Sequence, residues 1–362
     1  SRIKNIIFVL LFLICSVIQG QLENDQDISK VGTTAAQFLK ISSGGRGLAM
    51  GNANVAITNN LSSSFWNPAG LTSINTRQAQ FMYQPYWDDT NLIFAGIASP
   101  IDNSSYFGAG VFMLNWGDIF ETTLNRQDGS GIIFTPNEYS LSLSYARKFV
   151  DWFSFGSSIK YISSNLDVGQ ISGSAIAMDL GVMIQTDFFS ATDRKEGLRI
   201  GMAISNYGTQ FKYDSGIGLL VSNDISTDNG NWSELLADVH TQEDELPLNF
   251  RIGCSLYPIN TTHQRLILAM DAIHPNNNSE SINLGMEYTY TIPGKGSFNI
   301  NSGFKGLFMS NPDPQFNSEY GPTIGFGMKL WKNNTPYLSL DYCYRTFWTM
   351  PNINVFTIGL YL

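Results

Sequence analysis

Residues 281–290 read SINLGMEYTY, and every second position is apolar or aromatic: Ile282, Leu284, Met286, Tyr288 and Tyr290. Ser281, Asn283, Gly285, Glu287 and Thr289 stand between them. A period of two belongs to a β-strand whose two faces meet different surroundings. The same register returns in YSLSLSYAR, where Tyr139, Leu141, Leu143 and Tyr145 oppose Ser140, Ser142, Ser144 and Ala146. It returns again in PTIGFGMKL, with Ile324, Phe326, Met328 and Leu330 against Thr323, Gly325, Gly327 and Lys329. A chain that repeats this pattern must bury one face of each strand and find a second solvent for the other.

Composition names that solvent. Only 14% of the residues are charged, 13% are aromatic and 33 are glycine; soluble domains carry about 25% charged residues. Beyond the first twenty residues, no run approaches the ~18 apolar residues of a membrane helix. Residues 1–20 hold Arg2, Lys4, an apolar block and Gly20, the pattern of a secretory leader expected to be cut before Gln21. Cys15 follows Ile14 where a lipoprotein site needs a small residue. A secreted, charge-poor, aromatic-rich chain without spanning helices is expected to form a transmembrane β-barrel. A soluble sandwich or propeller would leave these apolar faces in water.

Alternating segments fall near 78–87, 90–99, 105–115, 138–149, 152–163, 174–187, 196–207, 249–258, 264–273, 280–290, 297–305, 320–331, 335–346 and 353–362. The fold class expected is all-β: a 14-stranded antiparallel transmembrane barrel, an even count as in bacterial single-chain barrels. Outward loops are expected at 116–137, 164–173, 208–248, 306–319 and 347–352, with KFVD, PINTTH and WKNNT at periplasmic turns, so that both chain ends are periplasmic. NVFTIGLYL then closes the wall against the first strand.

The register sends Lys160, Asp179, Arg199, Arg251, Glu287, Lys329, Asp341 and Arg345 inward. They either form a mixed ion-paired network or solvate a wet interior. Cys254 alternates with the lipid face and Cys343 with the lumen face, so the two are not expected to pair.

The expected organisation is a leader (1–20), a plug segment (21–77) and the barrel (78–362). About fifty residues cannot build a core of their own, but a lumen supplies walls. AAQFLKI and NVAITNNLSSSFW are read as short helices, with Gly44, Gly45 and Gly47 permitting tight turns between them. Phe65 and Trp66 are expected to anchor the plug, Asn67 to cap a turn through its side chain, and Pro68 to turn the chain toward the first strand. Gly44, Gly47, Phe65, Trp66, Asn67 and Pro68 are thus structural plug residues.

GTTAAQFLKISSGGRGLAMGNANVAITNNLSSSFWNPAGL resembles the N-terminal signature of the PorV/PorQ proteins of the type IX secretion system, a branch of the FadL-like outer-membrane barrels. DAIHPNNNSESINLGMEYTY is similar to a second segment of that family. The chain reads SGGRGLAMG where the family reads closer to Gly-Ala-Arg-Ala-Met-Gly. The resemblance implies a monomeric barrel in the outer membrane of a Bacteroidota-type bacterium, working within a hetero-complex. Its implied partners are outer-membrane lipid, a large translocon barrel, cargo C-terminal signal domains and attachment-complex proteins. The role implied for a PorV-like member is to accept cargo on the extracellular side and hand it to the surface attachment complex; that implied for a PorQ-like member is to associate with the attachment machinery.

Catalysis has little to stand on. His240, His263 and His274 share no metal-ligand spacing, and no Gly-x-Ser-x-Gly, Walker loop or Cys-x-x-Cys is present. We expect no enzyme activity, no catalytic residues, no metal and no cofactor. A formal net charge of −9 excludes a nucleic-acid partner of the usual basic kind. Trp116, Phe120, Phe134, Tyr213 and Trp232 fall in the outward loops and are the candidate partner-binding aromatics, since aromatic rings anchor protein interfaces. The acidic loop around Asp238 and Glu243 either steers basic cargo, binds Ca²⁺ weakly or is simply solvated, and it has neither the spacing nor the glycine of an EF-hand loop. A FadL-like channel for hydrophobic small molecules such as fatty acids is the alternative function; it requires an apolar path through the lumen.

Overall fold

The computed structural model describes residues 32–57, 60–122, 125–166, 171–190, 197–214, 218–222, 234–238, 242–309 and 319–362. The leader lies outside them. Fourteen strands form the wall: β1 (Gln78–Pro85), β2 (Asn91–Pro100), β3 (Ser105–Asn115), β4 (Asn137–Val150), β5 (Phe153–Asn165), β6 (Ser172–Gln185) and β7 (Arg199–Gly208). Then follow β8 (Asn249–Asn260), β9 (Gln264–Pro275), β10 (Ser281–Ile292), β11 (Gly296–Leu307), β12 (Tyr320–Lys332), β13 (Thr335–Phe347) and β14 (Ile353–Tyr361). Each pairs antiparallel with the next. β14 returns to β1, with Gln78 opposite Tyr361 and Tyr83 opposite Phe356. Closure leaves the wall no free edge, the condition for a sheet to stand in lipid. The expected fourteen-stranded barrel is the observed fold, and each expected strand begins and ends within three residues of the observed one.

The two faces are those the alternation dictates. Along β10, Leu284, Met286 and Tyr290 are exposed on the outside while Asn283 and Glu287 are buried inside. Along β4, Leu141, Leu143 and Tyr145 face out, and Ser140 and Ser144 face in. Cys254 sits on the outer face and Cys343 is fully buried inside; both are free thiols.

Loop lengths separate the two ends. One end carries 86–90, 116–136, 166–171, 209–248, 276–280, 308–319 and 348–352. The other carries mostly short turns, among them Asn333 and Asn334, whose φ values of 53° and 63° suit a two-residue hairpin turn. The connection 186–198 is the long exception at the short-turn end.

One bulge in the wall has a visible cause. Pairing of β6 with β7 shifts register between Met178 and Leu180, and Asn206 takes a left-handed φ of 64°. Asn tolerates that region better than bulkier residues. Its amide donates to Asp179 Oδ1 at 2.8 Å, and its side chain donates to the Pro247 carbonyl at 3.0 Å. Lys160 Nζ joins both, at 2.5 Å from Asp179 Oδ2 and 3.0 Å from Asn206 Oδ1. The bulge therefore fastens the base of the loop 209–248 to the inner wall.

Candidate functional site: the plug and the long-loop mouth

The first described residues lie at the long-loop end. Ala35 N donates to Glu245 O at 3.0 Å, and Asn277 Nδ2 donates to Thr34 Oγ1 at 2.5 Å. From there the segment descends the lumen to the short-turn end, where Leu362 N donates to Arg77 O at 2.9 Å. It holds four short helical pieces: Gln37–Lys40, Gly45–Ala49, Ser63–Trp66 and Pro68–Ser73. The piece Gly45–Ala49 falls where the sequence reads as glycine turns, because a single turn of helix there is held by the wall: Gly45 N donates to Thr357 Oγ1 at 2.9 Å.

Each plug residue singled out by sequence has a definite place. Trp66 is 1% exposed, and its indole donates to the Ser43 carbonyl at 3.0 Å, so the largest plug side chain carries no unsatisfied donor. Phe65 is half-buried and packs edge-on to Trp66 at 5.5 Å and tilted against Phe112 at 5.6 Å. Asn67 Oδ1 accepts from Ala69 N at 3.1 Å, and Nδ2 donates to the carbonyls of Val55 and Val182 at 3.1 and 2.9 Å. One side chain thus caps a turn, ties two parts of the plug and bonds the wall. Pro68 is the first residue of the following 3-10 helix, where its missing amide is harmless. Gly44 has a φ of 92°, and a side chain at Gly47 would come within 3.1 Å of the Trp66 indole nitrogen.

The plug touches the wall backbone to backbone. A Cβ added at Gly156 would stand 2.4 Å from Ala69 N, at Gly201 2.4 Å from Val55 O, and at Gly303 2.3 Å from the Met50 carbonyl carbon. These inward positions of β5, β7 and β11 admit only hydrogen. Polar wall residues fix the rest. Thr323 Oγ1 donates to Ala49 O at 2.8 Å, and Asp271 Oδ2 accepts from Asn54 N at 2.7 Å and Val55 N at 2.9 Å. Arg46 reaches Glu287 with Nη2 to Oε1 at 2.8 Å.

At the mouth, Trp116 is exposed and donates its indole to Glu138 Oε2 at 3.2 Å. Phe120 and Phe134 sit on a small hairpin in which Ile119 pairs with Phe134 and Phe120 with Ile133; Phe120 is 66% exposed. Tyr213 belongs to a short strand that extends β6, and its hydroxyl donates to Ser164 Oγ at 3.1 Å, so it serves the wall more than the loop. Trp232 lies outside the described residues. The structure brings Trp116, Phe120 and Phe134 onto one excursion, and Tyr213, on another loop, meets Trp116 through Ser164 and Glu138.

Sequence reading missed a second group of aromatics. Trp87 packs against Tyr86 at 5.4 Å and Phe347 at 5.7 Å and donates its indole to Pro351 O at 2.9 Å. They border a cavity of about 330 Å³ at the mouth whose floor includes Trp66, Arg251 and Arg345. Both arginines were legible as inward charges; that the tip of β1 leads into their lid was not. His263 and His274 stand at opposite ends of the barrel, and His240 lies outside the described residues. No cluster of metal-ligating side chains occurs among the described residues.

The family model described as type IX secretion system protein PorV matches residues 23–228. That is more than half of the chain. The chain belongs to the PorV family. Among solved structures, the toluene transporter TbuX of Ralstonia pickettii matches with a TM-score of 0.54 and 13% identity, covering 89% of this chain and 98% of that one. The toluene transporter TodX of Pseudomonas putida matches with a TM-score of 0.53 and 12% identity, over 88% and 96%. At such identities the likeness is one of fold alone: a closed antiparallel barrel with a segment inside its lumen. No curated protein matches the chain. A PorV-family barrel is a component of the type IX secretion system, a transport role in which its partners are other parts of that system.

Proposed function

We propose that this barrel is a cargo carrier of the type IX secretion system, taking secreted proteins by their C-terminal signal domains at its long-loop end. The observation that carries the reading is the family match over residues 23–228. In this orientation the long loops are extracellular and the short turns and Leu362 periplasmic, as in other outer-membrane barrels. The plug segment holds the lumen, so the barrel presents its mouth to partners and does not pass cargo through itself. Trp116, Phe120 and Phe134 form the apolar tip offered to the translocon or to cargo, since exposed aromatics are the favoured anchors of such contacts. The barrel is a monomer within a hetero-complex in a Bacteroidota-type cell, and it performs no catalysis.

Mild-detergent affinity purification from the native outer membrane, followed by mass spectrometry, tests the reading. Co-purification of a very large translocon barrel or of proteins sharing a C-terminal signal domain is expected, with loss of the cargo proteins in a Phe120→Ala, Trp116→Ala double variant that still folds. Recovery of the barrel alone, with fatty acid or another apolar compound in its extract, would replace this function with a channel for small hydrophobic molecules.

A further inference from the structure

Among the described residues, the lining of the mouth cavity holds more cations than carboxylates. Lys40, Arg251, Lys305 and Arg345 line it, and Glu319 is the carboxylate among its lining residues. Arg251 and Arg345 are 5% and 4% exposed. The Arg251 guanidinium lies over the rings of Phe65 and Trp66, at 5.9 and 5.5 Å from their centroids; the buried carboxylates of Asp271 and Asp179 act on its charge, yet its Nε and Nη1 hydrogens meet no acceptor among the described residues. Two other buried cations of this barrel are held in ion pairs, Arg46 with Glu287 and Lys160 with Asp179. A buried guanidinium with idle donors forfeits the hydrogen bonds that offset its lost hydration. An acceptor supplied from outside would restore them, and a bidentate oxyanion matches the fork of an arginine.

We propose that the mouth cavity binds an oxyanion, a carboxylate or phosphate, carried on a small aromatic or apolar group. The anion sits against Arg251, with Arg345 and Lys305 completing its neutralisation. The apolar part packs between Trp66 on the floor and Trp87 and Phe347 at the rim. A volume of about 330 Å³ is at the small end of ligand pockets and suits a compact acid. This site is independent of the cargo-carrier reading, because it lies below the Phe120 tip and uses none of its residues.

Isothermal titration of the full-length barrel in phosphatidylcholine nanodiscs tests it, with benzoate and phenyl phosphate as probes and toluene as their uncharged counterpart. Saturable binding of the two acids and none of toluene is expected. Arg251→Gln and Arg345→Gln should each weaken binding on the order of tenfold or more, the effect of losing one charge-assisted hydrogen bond. Lys332→Gln, at the short-turn end, should bind as the parent does. Heat-modifiable mobility on gels establishes that each variant is a closed barrel, and Arg345→Gln serves should Arg251→Gln fail to fold. Repeating the titration in phosphatidylglycerol nanodiscs separates the sources: unchanged affinity assigns a soluble acid, and competition assigns a lipid headgroup, the oxyanion standing in either case. Failure of both acids to bind the folded parent, equal binding by toluene, or unchanged affinity in both arginine variants overturns the proposal.

Discussion

Arg46 and Glu287 form a two-point ion pair between the plug and strand β10, with Nη2 to Oε1 at 2.8 Å and side chains only 9% and 4% exposed. The sequence places them 241 positions apart. Removing one partner strands a charge in a site that water does not reach. Arg46→Met or Glu287→Met alone should cost about 3–5 kcal/mol. The double substitution to Met should recover most of that loss, because two apolar side chains of similar volume ask for no partner. Thermal unfolding of the four proteins in detergent closes this cycle; a double variant no better than the sum of the singles would mean that the pair is not coupled.

Trp66→Ala removes the largest fully buried side chain and orphans the Ser43 carbonyl. The expected loss is about 3–5 kcal/mol of plug stability. Earlier protease cleavage within 32–77, ahead of the wall strands, should accompany a lowered unfolding temperature. Unchanged melting and unchanged cleavage would show that the plug does not depend on its anchor.

Gly303→Ala adds one methyl where 2.3 Å separates the new Cβ from the Met50 backbone. Neither backbone can step aside within a closed barrel, so the substitution should cost about 1–3 kcal/mol, an overpacking effect. The reverse arrangement, an alanine on the lipid face such as Ala109→Gly, should change plug protection little. Hydrogen exchange at Met50 and Gly51 distinguishes them.

Asp102, in the exposed turn between β2 and β3, accepts from the amides of Ser104 and Ser105, both at 2.7 Å. The backbone bond from Ser104 leads in holding its pKa down to about 2, below the ordinary value of about 3.9. A depressed carboxylate stabilises its turn above the ordinary value and loses that stabilisation as pH falls through about 2. Protection of the Ser104 and Ser105 amides, corrected for intrinsic exchange, should therefore hold at pH 5 and fall between about pH 4 and pH 2, while Asp102→Ala shows the low protection throughout.

The wall was legible because its rule is local. Whether Leu284 faces lipid and Glu287 the lumen follows from counting by two, and each of the fourteen strands repeats that count. The plug obeys no such period. Trp66, Asn67 and Pro68 declared themselves through their chemistry, but the helical turn Gly45–Ala49 exists because Thr357 and Thr323, some three hundred residues away, take its polar groups. The inward glycines were visible as an excess with no stated purpose, since what excludes their side chains is a backbone from elsewhere. The mouth cavity was hidden for a similar reason: Arg251 and Arg345 were read inward correctly, and the aromatic lid of Tyr86, Trp87 and Phe347 comes from the loop after β1 and the end of β13, which meet only when the barrel closes.

The seam between β1 and β14 joins residues nearly the full length of the chain apart, Gln78 beside Tyr361. Such a distant pairing is slow to form. In the finished molecule the described residues of 32–77 lie inside the curve of the sheet and touch it at Gly156, Gly201 and Gly303. Because no side chain of ordinary size can slip between them afterwards, the expected order of assembly is that the early segment settles while the staves are still open, and the last stave is the hoop that fastens it there. A variant whose plug settles late would meet a finished wall, and its fault would be recorded in the time it takes to mature more than in the stability of the molecule that results.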